Sequence, residues 1–219
     1  MLYRVVSPPP ACRADHTGEF LSDTSLREHL RAVTSEAHAA LDATAGALGL
    51  KTRDGYGAFL SASAAGLAPL EAALERGGVV EWLPDWSRRA RREALAQDLT
   101  ALDLDMPSPP DAPTPSFAFA TGMLYVLEGS RLGARFLSRQ VRAADPELPL
   151  AYLTHGENDD LWRSFVAWME AIPKVGFRTD EAEAGARYAF ERFSEAFESA
   201  KSGVASGVAN DQAGSHVRV

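Results

Sequence analysis

Apolar residues recur at intervals of three and four almost without a break from about residue 25 to residue 200, and no stretch alternates with the period of two that a half-buried strand requires. This pattern confines the chain to an all-α fold. Its 219 residues suit one multi-helical domain with a sizeable core. "SLREHLRAVTSEAHAALDATAGAL" predicts a first helix, with Ser25 and Glu28 in capping-box register. "TRDGYGAFLSASAAGLAPLEAALERGG" predicts a second, capped by Thr52, stopped at Gly77 and Gly78, and kinked at Pro69. "PDWSRRARREALAQDLTALDL" reads as a third helix capped by Asp85, and the Pro-rich "DMPSPPDAPTP" as a connection. A long helix then runs to about Ala144. A loop with a short helical turn and two further helices, "DDLWRSFVAWMEAI" and "DEAEAGARYAFERFSEAFESA", complete the fold. The ends lack periodicity, so the expected organisation is a tail over 1–21, a domain over 22–199 and a tail over 200–219.

The net charge of −8 argues against nucleic acid or an anionic membrane as the main partner. No run of 18 apolar residues is present, which predicts no membrane span, and the first twenty residues lack the apolar run of a signal peptide. The one cysteine, Cys12, excludes an internal disulfide framework and any Cys-rich metal site. These features fit a bacterial-type cytoplasmic enzyme or binding protein.

Few residues are placed to carry chemistry. Of five histidines, His16 and His216 fall in the expected tails, and His155 in a Gly-flanked loop. His29 and His38 share the first helix nine positions apart, which at about 100° per residue puts them on opposite faces. Arg31, Thr34, His38, Leu41, Asp42 and Ala45 recur on one side. A carboxylate one turn after His38 can accept one ring N–H, fixing the tautomer and leaving the other nitrogen as a lone-pair donor. The plain alternative is a helix-surface pair. A lone histidine does not hold a bare metal ion, but it does suit an iron whose other in-plane ligands come from a haem. Glu-x-x-His motifs of a di-iron bundle and a Cys-x-x-Cys-His attachment are both absent.

The long helix contains "GMLYVLEGSRLGARFL". Gly122, Gly129 and Gly133 lie near one face, although each glycine costs a helix about 1 kcal/mol relative to alanine. Either another helix packs closely there, or the backbone lies against a flat ligand. Arg131 and Arg135 should point away from that face.

"LRAVTSEAHAALD" together with "YVLEGSRLGARFL" resembles the haem oxygenases, most nearly their bacterial branch, and the resemblance extends over about residues 24–198. The first stretch resembles the family's proximal helix, with Thr34 four residues before the iron ligand His38 and Asp42 one turn beyond. The second, "EGSRLGA", resembles the distal helix through Gly129, Gly133 and Ala134. The mammalian pattern has Asp where Ser130 stands, so the water network near bound oxygen would be built differently. The resemblance implies a single-domain, multi-helical bundle in which haem, both substrate and cofactor, lies between the two helices. It implies that Gly129, Ser130 and Gly133 shape the reaction, that Arg31 and Tyr125 contact the propionates, and that Asp42 tunes His38. The implied reaction consumes O2 and external electrons, from ferredoxin or ascorbate, and yields biliverdin, ferrous iron and carbon monoxide. Bacteriophytochrome-associated members would imply a bilin-binding photoreceptor as acceptor. A haem carrier or sensor of the same fold is the alternative. Finally, Arg88, Arg89, Arg91 and Arg92 crowd the predicted start of the third helix and are expected to dock an acidic electron carrier.

Overall fold

The computed structural model describes residues 25–108 and 110–214, with side chains described as far as residue 203. Among the described residues the structure is helical throughout: α1 (Leu26–Gly46), α2 (Arg53–Arg76), α3 (Val79–Trp82), a 3₁₀ turn (Trp86–Arg88), α4 (Arg92–Ala101), α5 (Phe117–Ala144), α6 (Ala151–Thr154), α7 (Leu161–Glu170) and α8 (Thr179–Gly214). The expected caps form. Ser25 Oγ accepts from the Glu28 amide at 3.2 Å while Glu28 accepts from the Ser25 amide at 3.0 Å, and Thr52 Oγ1 accepts from Gly55 N at 3.1 Å. α2 ends at Gly77, and Gly78 takes the left-handed conformation, φ 87°, that a residue with a Cβ adopts only under strain.

α8 packs along α1, α2 and α5, and this four-helix contact encloses the core. Leu60, Leu67 and Leu74 of α2, Met123 and Leu124 of α5, and Ala186 and Ala189 of α8 are completely buried within it. α2 is long and apolar enough to cross a membrane, but 72% of its apolar window is covered inside the fold. The helical pattern of α8 continues to Gly214, beyond the expected domain boundary at 199. The expected tail over 1–21, with Cys12 and His16, and His216 lie outside the described residues.

The third helix departs from expectation. Asp85 does not cap a continuous helix; a short 3₁₀ turn is followed by a break, and α4 begins only at Arg92. The cap comes from another helix. Glu71 of α2, 1% exposed, accepts the Arg91 amide at 2.7 Å and the Arg92 amide at 3.1 Å. A buried carboxylate thereby satisfies two of the free amides at the start of α4. Asp98 of α4 does the same for α6, accepting from Ala151 N and Tyr152 N, both at 2.9 Å. Burial pushes both carboxyls above the ordinary range, against the downward pull of those amides.

α5 and α8 approach through two glycines. A Cβ on Gly122 would stand 1.8 Å from the Ala182 carbonyl oxygen, and one on Gly185 would stand 2.0 Å from that of Phe119. Close helix packing therefore explains Gly122. Gly122→Ala should lower stability by about 1–3 kcal/mol in urea unfolding, since backbone must move to admit the methyl group, outweighing the ~1 kcal/mol gain in helix propensity. An unchanged or raised midpoint would show that the crossing is looser than described.

Candidate functional site

The next two glycines on the same stripe behave differently. A Cβ on Gly129 would meet only Trp162, at 3.8 Å, and one on Gly133 would meet nothing within 4 Å. Beside them Leu132 and Phe136 are 56% and 60% exposed. Residues 125, 129, 132, 133 and 136 share one face of α5. That face is bare backbone and apolar side chain directed at open space.

α1 reaches this face through Thr34 and Tyr125. Thr34 is buried and donates to the Leu30 carbonyl at 2.7 Å, and its hydroxyl lies within reach of the half-buried Tyr125. Burial raises the Tyr125 phenol above its ordinary range, while the charges of Arg27 and Arg31 pull the other way. Arg27 also lies over the Trp162 ring, 5.8 Å from its centre. One turn beyond Thr34 stands His38, and one turn beyond Tyr125 stands Gly129. His38 Nδ1 is 3.1 Å from Asp42 Oδ2, and its ring meets Phe190 of α8 edge-on at 6.0 Å. Its Nε2 has no partner among the described residues. The His38 side chain is 62% exposed, whereas His29, on the opposite face, turns to Glu183 of α8 at 3.1 Å.

These residues bring together an imidazole nitrogen without a partner among the described residues, cations and a phenol at one end, and an apolar helix face on which Gly129 and Gly133 leave the backbone uncovered. No group of three or more His, Cys, Asp or Glu able to hold a bare metal ion occurs among the described residues. Ala134, expected at the ligand face, is instead buried on another side of α5. Ser130 donates to the Leu127 carbonyl at 2.8 Å and accepts from Arg91 Nη2 at 3.0 Å.

Arg91 and its neighbours overturn the expected docking patch. Arg89 and Arg91 are each 2% exposed. The Arg89 fork binds Asp85 at 2.8 and 2.7 Å, and its Nη1 donates to Glu128 Oε2 at 2.6 Å. Arg88 pairs with Asp159 at 2.8 Å and Arg92 with Glu75 at 3.1 Å. Because the helix breaks here, the arginines fan into different partners and do not form a common exposed face. Arg131 points away from the glycines, as expected, but into the interior: it bonds Glu128 at 2.9–3.0 Å, the Arg89 carbonyl, and the His155 carbonyl at 3.3 Å. Sequence reasoning missed Arg27 and Trp162, and gave Arg91 a surface role that its burial overturns. Arg27 lies on the His38 stripe and was detectable by spacing. The burial of Arg91 was hidden by the continuous helical pattern.

If Gly133 is bare only to admit a ligand, Gly133→Ala should leave the haem-free protein as stable or raise it by up to about 1 kcal/mol; destabilisation in thermal melts would point to an unseen packing role. His155 is held below its ordinary 6.5, by burial first and then by the Arg131 and Arg91 charges, with Glu128 and Asp159 opposing. The folded state therefore favours the neutral ring. That contribution is full above pH 6.5 and is lost as pH falls through the lowered value. Melting curves should show this loss on acidification, and His155→Gln should remove it. A His155 NMR titration centred above 6.5 would contradict the assignment.

No family model matches the chain. It is 36% identical over 111 residues to "Heme oxygenase" of Xanthomonas campestris pv. campestris, covering 49% of this chain and 67% of that protein. It is 29% identical over 191 residues to "Heme oxygenase PigA" of Pseudomonas aeruginosa, covering 81% of this chain and 96% of that one. In fold it matches the crystal structure of the NO- and CO-bound heme oxygenase from Neisseria meningitidis with a TM-score of 0.68 and 23% identity, over 81% of this chain and 92% of that chain. Together with the single all-helical domain, these likenesses place the chain in the haem oxygenase family.

Proposed function

We propose that the chain degrades haem, opening the ring to biliverdin with release of ferrous iron and carbon monoxide. The observation that carries this reading is the stripe of α5 where Gly129 and Gly133 leave the backbone bare toward open space between exposed Leu132 and Phe136. Haem, when bound, supplies both the ring to be opened and the iron at which dioxygen is activated.

The remaining work falls to the chain's own side chains. His38 holds the iron through Nε2, and Asp42 keeps the proton on Nδ1 so that Nε2 presents a lone pair. Arg31, joined by Arg27, and the Tyr125 hydroxyl anchor the propionates near Thr34. Gly129 and Gly133 let the helix approach the ring. Ser130, oriented by Arg91, offers its hydroxyl to water near the reacting face. Electrons come from outside the chain, from ferredoxin or ascorbate, in the cytoplasm. A bilin-binding photoreceptor is one acceptor for the product. The working unit spans residues 22–199.

The test uses the whole chain with hemin and ascorbate under air. The Soret band should decay as a broad red biliverdin band grows, and His38→Ala should bind hemin more weakly and largely lose the conversion. A Soret band that persists in the unaltered protein would make it a haem carrier or sensor instead.

A further inference from the structure

Three of the chain's four tryptophans fall on one line of neighbouring rings. The line starts at Tyr125, on the bare face of α5, whose ring centre is 6.1 Å from that of Trp162. A Cβ on Gly129 would meet Trp162 at 3.8 Å, so this indole borders the same face. Trp162, Phe165 and Trp168 follow at intervals of three along α7, with ring centres 6.0 and 5.5 Å apart. Phe117, the first residue of α5, then stands 6.1 Å from Trp168 and 5.2 Å from Trp82 of α3. Phe165 is completely buried, and Trp82 ends the line half-buried at the surface.

Apolar packing requires only rings of the right size in such places. It does not require phenol and indole at both ends and at the steps between. These are the aromatic side chains that give up a single electron. Phenyl does not, but Phe165 and Phe117 close the gaps with polarisable rings and keep water out. The surroundings grade the line further. Arg27 lies 5.8 Å from the centre of the Trp162 ring and repels a positive charge left on that indole. Trp168 is the opposite case. Its Nε1 donates to the Trp82 carbonyl at 2.8 Å, and that oxygen stabilises the indole N–H when the ring loses an electron. An electron vacancy therefore crosses Trp162 and rests at Trp168.

We propose that Tyr125, Trp162, Trp168 and Trp82 form a relay that carries one-electron oxidation from the haem pocket to the surface. The inference rests on the haem reading for the source of the oxidant, hydrogen peroxide acting at haem iron. Peroxide takes up two electrons and two protons and leaves as two waters. When no external donor supplies them, one of those electrons comes from Tyr125, whose phenolic proton passes to water. Tyr125 recovers an electron from Trp162 and a proton from water. Trp162 is refilled by Trp168, and Trp168 by Trp82. Ascorbate or a thiol in solution fills the vacancy at Trp82 and is itself oxidised. The steps are nearly level in energy, so the direction is set by where electrons are withdrawn and where they are supplied.

Pulse radiolysis with azide radicals, which oxidise indole, tests the route in the haem-free, full-length protein. With no oxidant in the pocket, a phenol that has lost its proton is the lowest resting place, so the vacancy should run inward. The green absorption of the indole radical should decay as the violet absorption of a phenoxyl radical grows, at a rate independent of protein concentration. Trp162→Phe, checked for folding by circular dichroism, should lose this growth and leave the indole radical standing. Tyr125→Phe should do the same, and if one variant does not fold the other decides. Conversion that is absent, that depends on protein concentration, or that is unchanged in the folded variants would overturn the proposal. In a second arm, hemin-loaded protein receives hydrogen peroxide without reductant, and its peptides are examined by mass spectrometry. Oxygen added to Trp82 is expected, absent without hemin and lost in Trp162→Phe. Oxidation of Trp82 that is indifferent to Trp162 would remove the relay from the haem reaction. Failure to take up hemin, seen beforehand at the Soret band, would count against the haem reading, and the radiolysis then decides the route alone.

Discussion

Glu128 is the fixed point of this molecule. Its carboxylate, 1% exposed, lies between Arg89 and Arg131, and Arg89 in turn grips Asp85, Ser164 and the Leu161 carbonyl. One buried anion thus ties the segment before α4, the middle of α5 and the start of α7 together. Such a cluster contributes less to net stability than its contacts suggest, because each ion gives up its hydration. What it supplies is definition: breaking any arm leaves an uncompensated charge inside, so α5 is held in one rotation. That rotation directs Gly129 and Gly133 outward and Arg131 inward.

Where the physics is local, the sequence is readable. The Ser25–Glu28 capping box and the Thr52 cap depend on residues three apart, and both form as their spacing indicates. The i, i+4 relation of His38 and Asp42 is equally local and brings them to 3.1 Å. The break before α4 was not readable, because the group that stops the helix is Glu71, twenty residues earlier on another helix. Reading "WSRRARREAL" as one helix turned four arginines into a surface patch, whereas long-range partners take two of them inside. Burial of Arg89 and Arg91 follows from acidic groups on α2 and α5 and from carbonyls that no window of sequence displays.

The glycine stripe shows a different limit. Spacing put Gly122, Gly129 and Gly133 on one face, and close helix packing explains that face at Gly122 alone, leaving the backbone uncovered at the other two. Gly122 is glycine because α8 crosses there; Gly129 and Gly133 have no such neighbour. Nothing in the sequence says where along α5 the crossing helix departs. The crossing point is set by the match of Gly122 with Gly185, a pairing across more than sixty residues that becomes visible only in the fold.

That the C-terminal helix closes the core has a consequence for the order of events at the ribosome. α2, the most thoroughly buried helix, is made before α8, which covers it along with α1 and α5. Until α8 emerges, Leu60, Leu67 and Leu74 have no lid, and the notch at Gly122 has nothing to receive. Domains fold as units once their chain is available. Here the unit is not available until α8 has been made, so the nascent chain carries an apolar, membrane-length helix uncovered while α3 to α7 are synthesised. Loss of α8 would therefore leave this chain without the element that makes its interior an interior.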